Sequence, residues 1–171
     1  EAHEMYAEPR VTQKLLDDLG KTQQKLISET IPSLISVSGV QRVLQNLLRE
    51  MVSIRDLSTI LEAIAEATRT TQNMLLITEH VRMRLGRQIS HANTTPGGYI
   101  PLLTLSPVWE QIFLESVSGE KDERTLSLSP SKIQEFIASI RAKFEQAAMQ
   151  GETPVLLTSP AIRPYVRSIV E

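Results

Sequence analysis

The sequence predicts a mainly α protein in which a helical subdomain (residues 1–92) is followed by a small α/β subdomain (residues 93–171). Three observations carry this expectation. Val40, Val43, Leu44, Leu47, Leu48 and Met51 step by three, one, three, one and three, which draws one stripe along an amphipathic helix. Helical periodicity of this kind fills the first half and stops at His91–Tyr99, HANTTPGGY, whose Pro and paired Gly break the pattern. Beyond it one phrase occurs three times: LTLSP (Leu103–Pro107), LSLSP (Leu126–Pro130) and LLTSP (Leu156–Pro160). In each, an apolar extended run meets Ser-Pro and then a helical pattern, the grammar of strands feeding helices.

Taken in order, Pro9 opens a helix to about Leu19 with Val11, Leu15, Leu16 and Leu19 on one face and Gly20 as its stop. A second runs from Lys21 to Thr30 and ends ahead of Pro32. The third carries the Val40–Met51 stripe, with Ser38 and Gln41 at the spacing of a capping box. The fourth, Ser53–Ala67, repeats that spacing with Ser53 and Asp56 and lines Leu57, Ile60, Leu61 and Ile64 on a face. Asp56 also brings negative charge to the positive end of the helix dipole, whereas Arg55 beside it is unexplained by capping. A fifth helix spans Asn73–Ile89, with Ile77, Val81, Leu85 and Ile89 four apart. In the second half, Ser caps and Pro at the first helical position start helices over Val108–Val117, Ser131–Met149 and Ala161–Val170. The central phrase is the most polar of the three and has the weakest strand pattern.

Composition narrows the function. Aromatic residues are 4% of the chain, so the core is aliphatic and suits packed helices. A net charge of −2 gives no general attraction to nucleic acid or anionic lipid. Without Cys there is no disulfide framework, thiol nucleophile or Cys-based zinc site. The apolar runs are short, as at Met74–Ile77, against the roughly 20 residues of a membrane span. No signal-peptide pattern is visible, and the ends EAHEMYAEPR and RSIVE read as those of a piece of something longer.

Catalytic motifs are missing. The seven Gly form no phosphate-cradling loop, and His3, His80 and His91 make no metal-binding pair. No GxSxG surrounds a Ser, so the expectation is a non-enzyme without cofactor or metal. The run Gly119–Glu123 lacks cation-loop spacing and reads as a solvated loop. Trp109, the one Trp, reads as a core anchor. His80, Arg84, Arg87 and His91 share a face and support an alternative, a helix-turn-helix-type nucleic-acid-binding regulator. Glu79 beside that stripe and the lack of a basic flank weigh against it.

Three stretches carry more. VQRVLQNLLREMVSIRDLSTILEAIAEAT (Val40–Thr68), LLITEHVRMRLGRQI (Leu75–Ile89) and PVLLTSPAIRPYVRSIV (Pro154–Val170) follow one another in that order. They resemble the C-terminal cytoplasmic region of the flagellar export-gate family, whose relatives serve virulence type III secretion; RMRLGRQI is closer to the flagellar wording. The resemblance implies the third and fourth subdomains of a four-subdomain region, with a further C-terminal strand not included. It implies a nine-membered homo-oligomeric ring at the cytoplasmic face of the bacterial inner membrane, held there by an N-terminal membrane part outside this chain. Implied partners are flagellar export chaperone–substrate complexes and other export-apparatus proteins, with no nucleic acid and no active site. The chaperone cleft of such proteins lies between the first two subdomains, so no docking residue is carried over. Met51 stands where relatives place a charged residue. Arg49, Glu50, Arg55, Asp56, Arg84 and Arg87 are the candidate subunit or partner interface. The competing expectation has Arg55 bridging Glu50 or Glu62 inside one molecule.

Overall fold

A computed structural model describes residues 9–120 and 122–171. The chain divides into two compact units between Ile89 and Ser90. In the first lie α1 (Pro9–Asp17), α2 (Lys21–Thr30), α3 (Val37–Arg49), α4 (Leu57–Ala67) and α5 (Met74–Arg84), followed by the short α6 (Gly86–Ala92), which runs past the division. The second holds β1 (Leu102–Thr104), α7 (Pro107–Ser116), β2 (Val117–Ser118), β3 (Thr125–Leu126), α8 (Pro130–Met149), β4 (Val155–Leu157) and α9 (Arg163–Val170). The protein is mainly α with a small α/β part, as expected.

The core of the first unit is the predicted aliphatic one. Val40, Val43, Leu44 and Leu47 of α3 meet Leu57, Ile60, Leu61 and Ile64 of α4 and Ile77 and Val81 of α5, all buried. Each large aliphatic side chain so buried contributes roughly 1.5–3 kcal/mol. The start of α3 differs from the capping box expected at Ser38. Ser36 is the N-cap, its hydroxyl accepting from the Gly39 N–H at 3.0 Å. The reason is tertiary: Ile35 before the cap and Val40 four residues after it are both buried in one cluster, a hydrophobic staple that fixes where the helix begins. Gly39 permits this approach, since a Cβ there would lie 2.5 Å from Ile35.

The far end of α3 also differs. Met51 belongs to the periodic stripe in sequence, yet it is 89% exposed. Its φ of 58° ends the helix in the left-handed region. Val52 N–H bonds back to Leu47 O and Met51 N–H to Leu48 O, both at 2.9 Å, the pattern of a Schellman cap. The chain then runs extended, with Val52 buried and Ile54 against the core, so α4 starts at Leu57 rather than Ser53. The predicted fifth helix is interrupted at Leu85 (φ −89°, ψ 10°), where the next residue is Gly86. Leu85 stays buried, so the interruption does not disturb the apolar row.

In the second unit two of the three Ser-Pro phrases behave as expected. Ser106 Oγ accepts from Trp109 N–H and Ser129 Oγ from Lys132 N–H, each at 3.3 Å. The third does not. Ser159 donates its hydroxyl to Glu110 of α7 at 2.9 Å and its N–H to the same carboxylate at 3.1 Å, and α9 begins only at Arg163. Ser159 O accepts from the Ile162 and Arg163 N–H groups at 3.3 and 3.1 Å, so a turn over residues 160–162 comes before the helix. β1 and β4 pair in parallel, Leu102 with Val155 through Thr104 with Leu157. The central phrase leaves that sheet: β3 pairs antiparallel with β2, Val117 with Leu126. Phe113, Phe136, Ile162 and Val166 form the buried centre, and Trp109 packs on it with its ring 5.0 Å from Phe136, edge to face.

Candidate functional site

The polar residues singled out in the sequence gather in the first unit around the turn between α3 and α4 and along α5. Glu50 is the C-cap residue of α3, and Arg82 of α5 donates a charge-assisted hydrogen bond to its carboxylate. Both side chains are largely enclosed, 14% exposed for Arg82 and 12% for Glu50. This pair ties the end of α3 to α5. The turn is tied once more from α6, where Gln88 donates its amide to Ser53 O at 2.7 Å. Within the turn, Ser53 Oγ accepts from Arg55 N–H at 3.4 Å.

Asp56 is the N-cap of α4. Its carboxylate accepts from the Thr59 N–H at 3.2 Å and the Thr59 hydroxyl at 2.7 Å. The capping role expected for Asp56 therefore holds, although Ser53 is no part of the cap. Arg55 stands one residue outside the helix and is exposed. Among the described residues it has no ion-pair partner, because the two carboxylates considered for it are engaged elsewhere: Glu50 by Arg82, and Glu62 by Arg84.

The basic face of α5 is likewise shared with α4. Glu66 receives both His80 Nε2, at 3.0 Å, and a hydrogen bond from Arg84. Arg84 Nη2 also lies 3.7 Å from Glu62. The Arg84 hydrogen bond, helped by His80, holds the Glu66 carboxyl below the usual carboxylate range, and Glu66 in turn raises the Arg84 guanidinium. Two of the four basic residues on which the nucleic-acid alternative rested thus face carboxylates of their own molecule, which removes much of the positive potential that phosphates require.

Of the six interface candidates, Glu50, Asp56 and Arg84 are held within the molecule, while Arg49, Arg55 and Arg87 are exposed with no ion pair among the described residues. Sequence reasoning missed Arg82 and Glu66, and it considered Glu62 only as a partner of Arg55, whereas Glu62 faces Arg84. A signal was present: Glu62 and Glu66 are four apart on α4, and a short connection makes α4 and α5 neighbours, so an acidic row beside a basic one was available. Among the described residues no group of three or more His, Asp or Glu is placed to hold a metal ion. No helix of the described residues is long and apolar enough to cross a membrane.

The fold is thus a helical packing module joined to a small α/β unit. The chain belongs to the FHIPEP family, whose profile matches residues 1–171. It is 52% identical over 166 residues to the flagellar biosynthesis protein FlhA of Caulobacter vibrioides, covering 97% of this chain and 23% of that protein. Among solved structures, the nonameric EscV cytosolic domain from the type III secretion system superposes with a TM-score of 0.80 at 25% identity, over 99% of this chain and 49% of that one. The Chlamydia pneumoniae CdsV, in complex with CdsO, gives a TM-score of 0.82 at 25% identity, over 99% and 49% respectively. The chain spans about a quarter of the length of the flagellar relatives it matches.

Proposed function

We propose that this chain is a ring-forming part of the cytoplasmic portion of a flagellar type III export gate, supporting docking and ordered export of chaperone-bound flagellar substrates. The observation that carries this is the similarity, over 97% of this chain, to flagellar FlhA and, over 99% of it, to the nonameric EscV cytosolic domain. The module acts as a scaffold rather than an enzyme. Its exposed Arg49, Arg55 and Arg87, which have no ion pair among the described residues, serve contact with a neighbouring subunit, where charge sets register and partner choice more than raw affinity. The enclosed Glu50–Arg82 pair and the Asp56 cap hold the turn that presents them. Membrane attachment, at the inner face of the inner membrane, is supplied by sequence outside these residues.

The test is an exchange. The matching segment of Caulobacter vibrioides FlhA is replaced by this chain, and swimming and flagellin secretion are scored in cells lacking the native protein. Restored secretion is expected. A chimera that accumulates normally yet secretes nothing overturns the proposal. Calorimetric titration with a flagellar chaperone–cargo complex then locates docking: this chain alone gives no heat, whereas the longer cytoplasmic region binds.

A further inference from the structure

Two charged ends of the first unit are electrostatically unsatisfied in opposite senses. Arg55 places a cation just outside the N-terminus of α4, where the helix dipole is already positive. Arg87, beside the Gln88 that anchors the same turn, adds a second exposed guanidinium without an ion pair among the described residues. At the other sign, Asp17 is the last residue of α1 and Asp18 follows it, where the dipole is negative and favours cations. Among the described residues the Asp17 carboxylate accepts one hydrogen bond, from Gln13 at 2.8 Å, and neither carboxylate has an ion pair. Each patch sits where its own helix disfavours it, and each would be relieved by the other.

One molecule cannot supply that relief symmetrically to a like patch, because Arg55 facing Arg55 repels. A ring with an odd number of subunits closes only through head-to-tail contacts between two different surfaces. Resting on the ring reading above, we infer that the Asp17–Asp18 end of α1 in one copy docks on the Arg55–Arg87 turn of the next copy. The occupant of the basic turn is therefore a second copy of this chain, and the interface is heterologous.

The chain contains no Cys, so engineered cysteines read without background from it. The full-length gate protein carrying Asp18→Cys and Arg55→Cys is expressed in flagellated cells and oxidised. A ladder of dimers, trimers and higher species is expected. Either variant alone stays monomeric, and the two coexpressed stop at dimer. A fast-migrating internally linked monomer, a homodimer from one variant, or no cross-link in cells that still swim overturns the inference. A charge exchange gives a second readout: Arg55→Asp lowers flagellin secretion about tenfold or more, and adding Asp18→Arg and Asp17→Arg restores it. Unchanged secretion in Arg55→Asp also overturns it. If an amine-reactive cross-linker captures no higher species of the unaltered protein, the ring reading itself fails, an outcome separate from a wrong choice of surface.

Discussion

Asp56 and Arg55 are neighbours in sequence with opposite structural roles, and replacing them one at a time separates the two. Asp56→Ala removes the carboxylate that accepts from the Thr59 N–H and the Thr59 hydroxyl, leaving the first turn of α4 without a side-chain cap. The loss expected for an N-cap of this kind is about 1–2 kcal/mol. Asp56→Asn keeps an acceptor in place and loses only the charge at the helix end, about 0.3–1 kcal/mol. Arg55→Ala removes an exposed cation from the positive end of the dipole, a change within about 0.5 kcal/mol and favourable in sign. Urea unfolding followed by far-ultraviolet circular dichroism resolves these values. At a slope of about 1–3 kcal/mol per molar urea, Asp56→Ala moves the midpoint down by roughly 0.3–2 M. The reasoning is refuted if Arg55→Ala costs as much as Asp56→Ala, since Arg55 would then be part of an internal network. It is equally refuted if Asn is no better than Ala at position 56, since the cap would then contribute nothing.

Three further outcomes follow from the same geometry. Met51→Gly relieves a left-handed backbone at an exposed helix end and stabilises by about 0.5–1 kcal/mol, read as a raised urea midpoint. Glu50→Ala leaves the enclosed Arg82 guanidinium without its carboxylate and destabilises by about 3 kcal/mol, whereas Glu50→Leu with Arg82→Met recovers most of the loss. Glu66 has a folded pKa below its ordinary 4.5, so its contribution is present above that value and is lost as pH falls through the lowered one. Glu66→Gln therefore flattens the decline in stability on acidification below about pH 4.5, and acid titration of the melting temperature shows it.

The charged turn keeps several of its polar residues paired within the molecule. Salt bridges at the surface contribute little stability, but the enclosed Glu50–Arg82 pair and the Gln88 amide fix a loop that carries no regular structure of its own. Hydrogen bonds from two flanking helices, α5 and α6, hold that loop in place.

Much was legible from residue order alone. The stripe from Val40 to Leu47 is buried as its period requires, because a 3.6-residue repeat leaves one face available to a core. Ser106-Pro107 and Ser129-Pro130 start helices because capping and the fixed φ of Pro act within a single turn. The resemblance that named the family rested on such local wording too. What only the tertiary structure decided were choices between equivalent local options. Ser36 rather than Ser38 caps α3 because Ile35 and Val40 are buried together, and Ser159, which caps no helix, is bound through its hydroxyl and N–H to Glu110, distant in sequence. Met51 matched the stripe but fell outside it once the helix ended. Glu50 and Arg84 looked outward until Arg82 and Glu66 were brought beside them. Period and caps are properties of a few consecutive residues; the partner of a charge is a property of how helices pack, and that is written in no single segment.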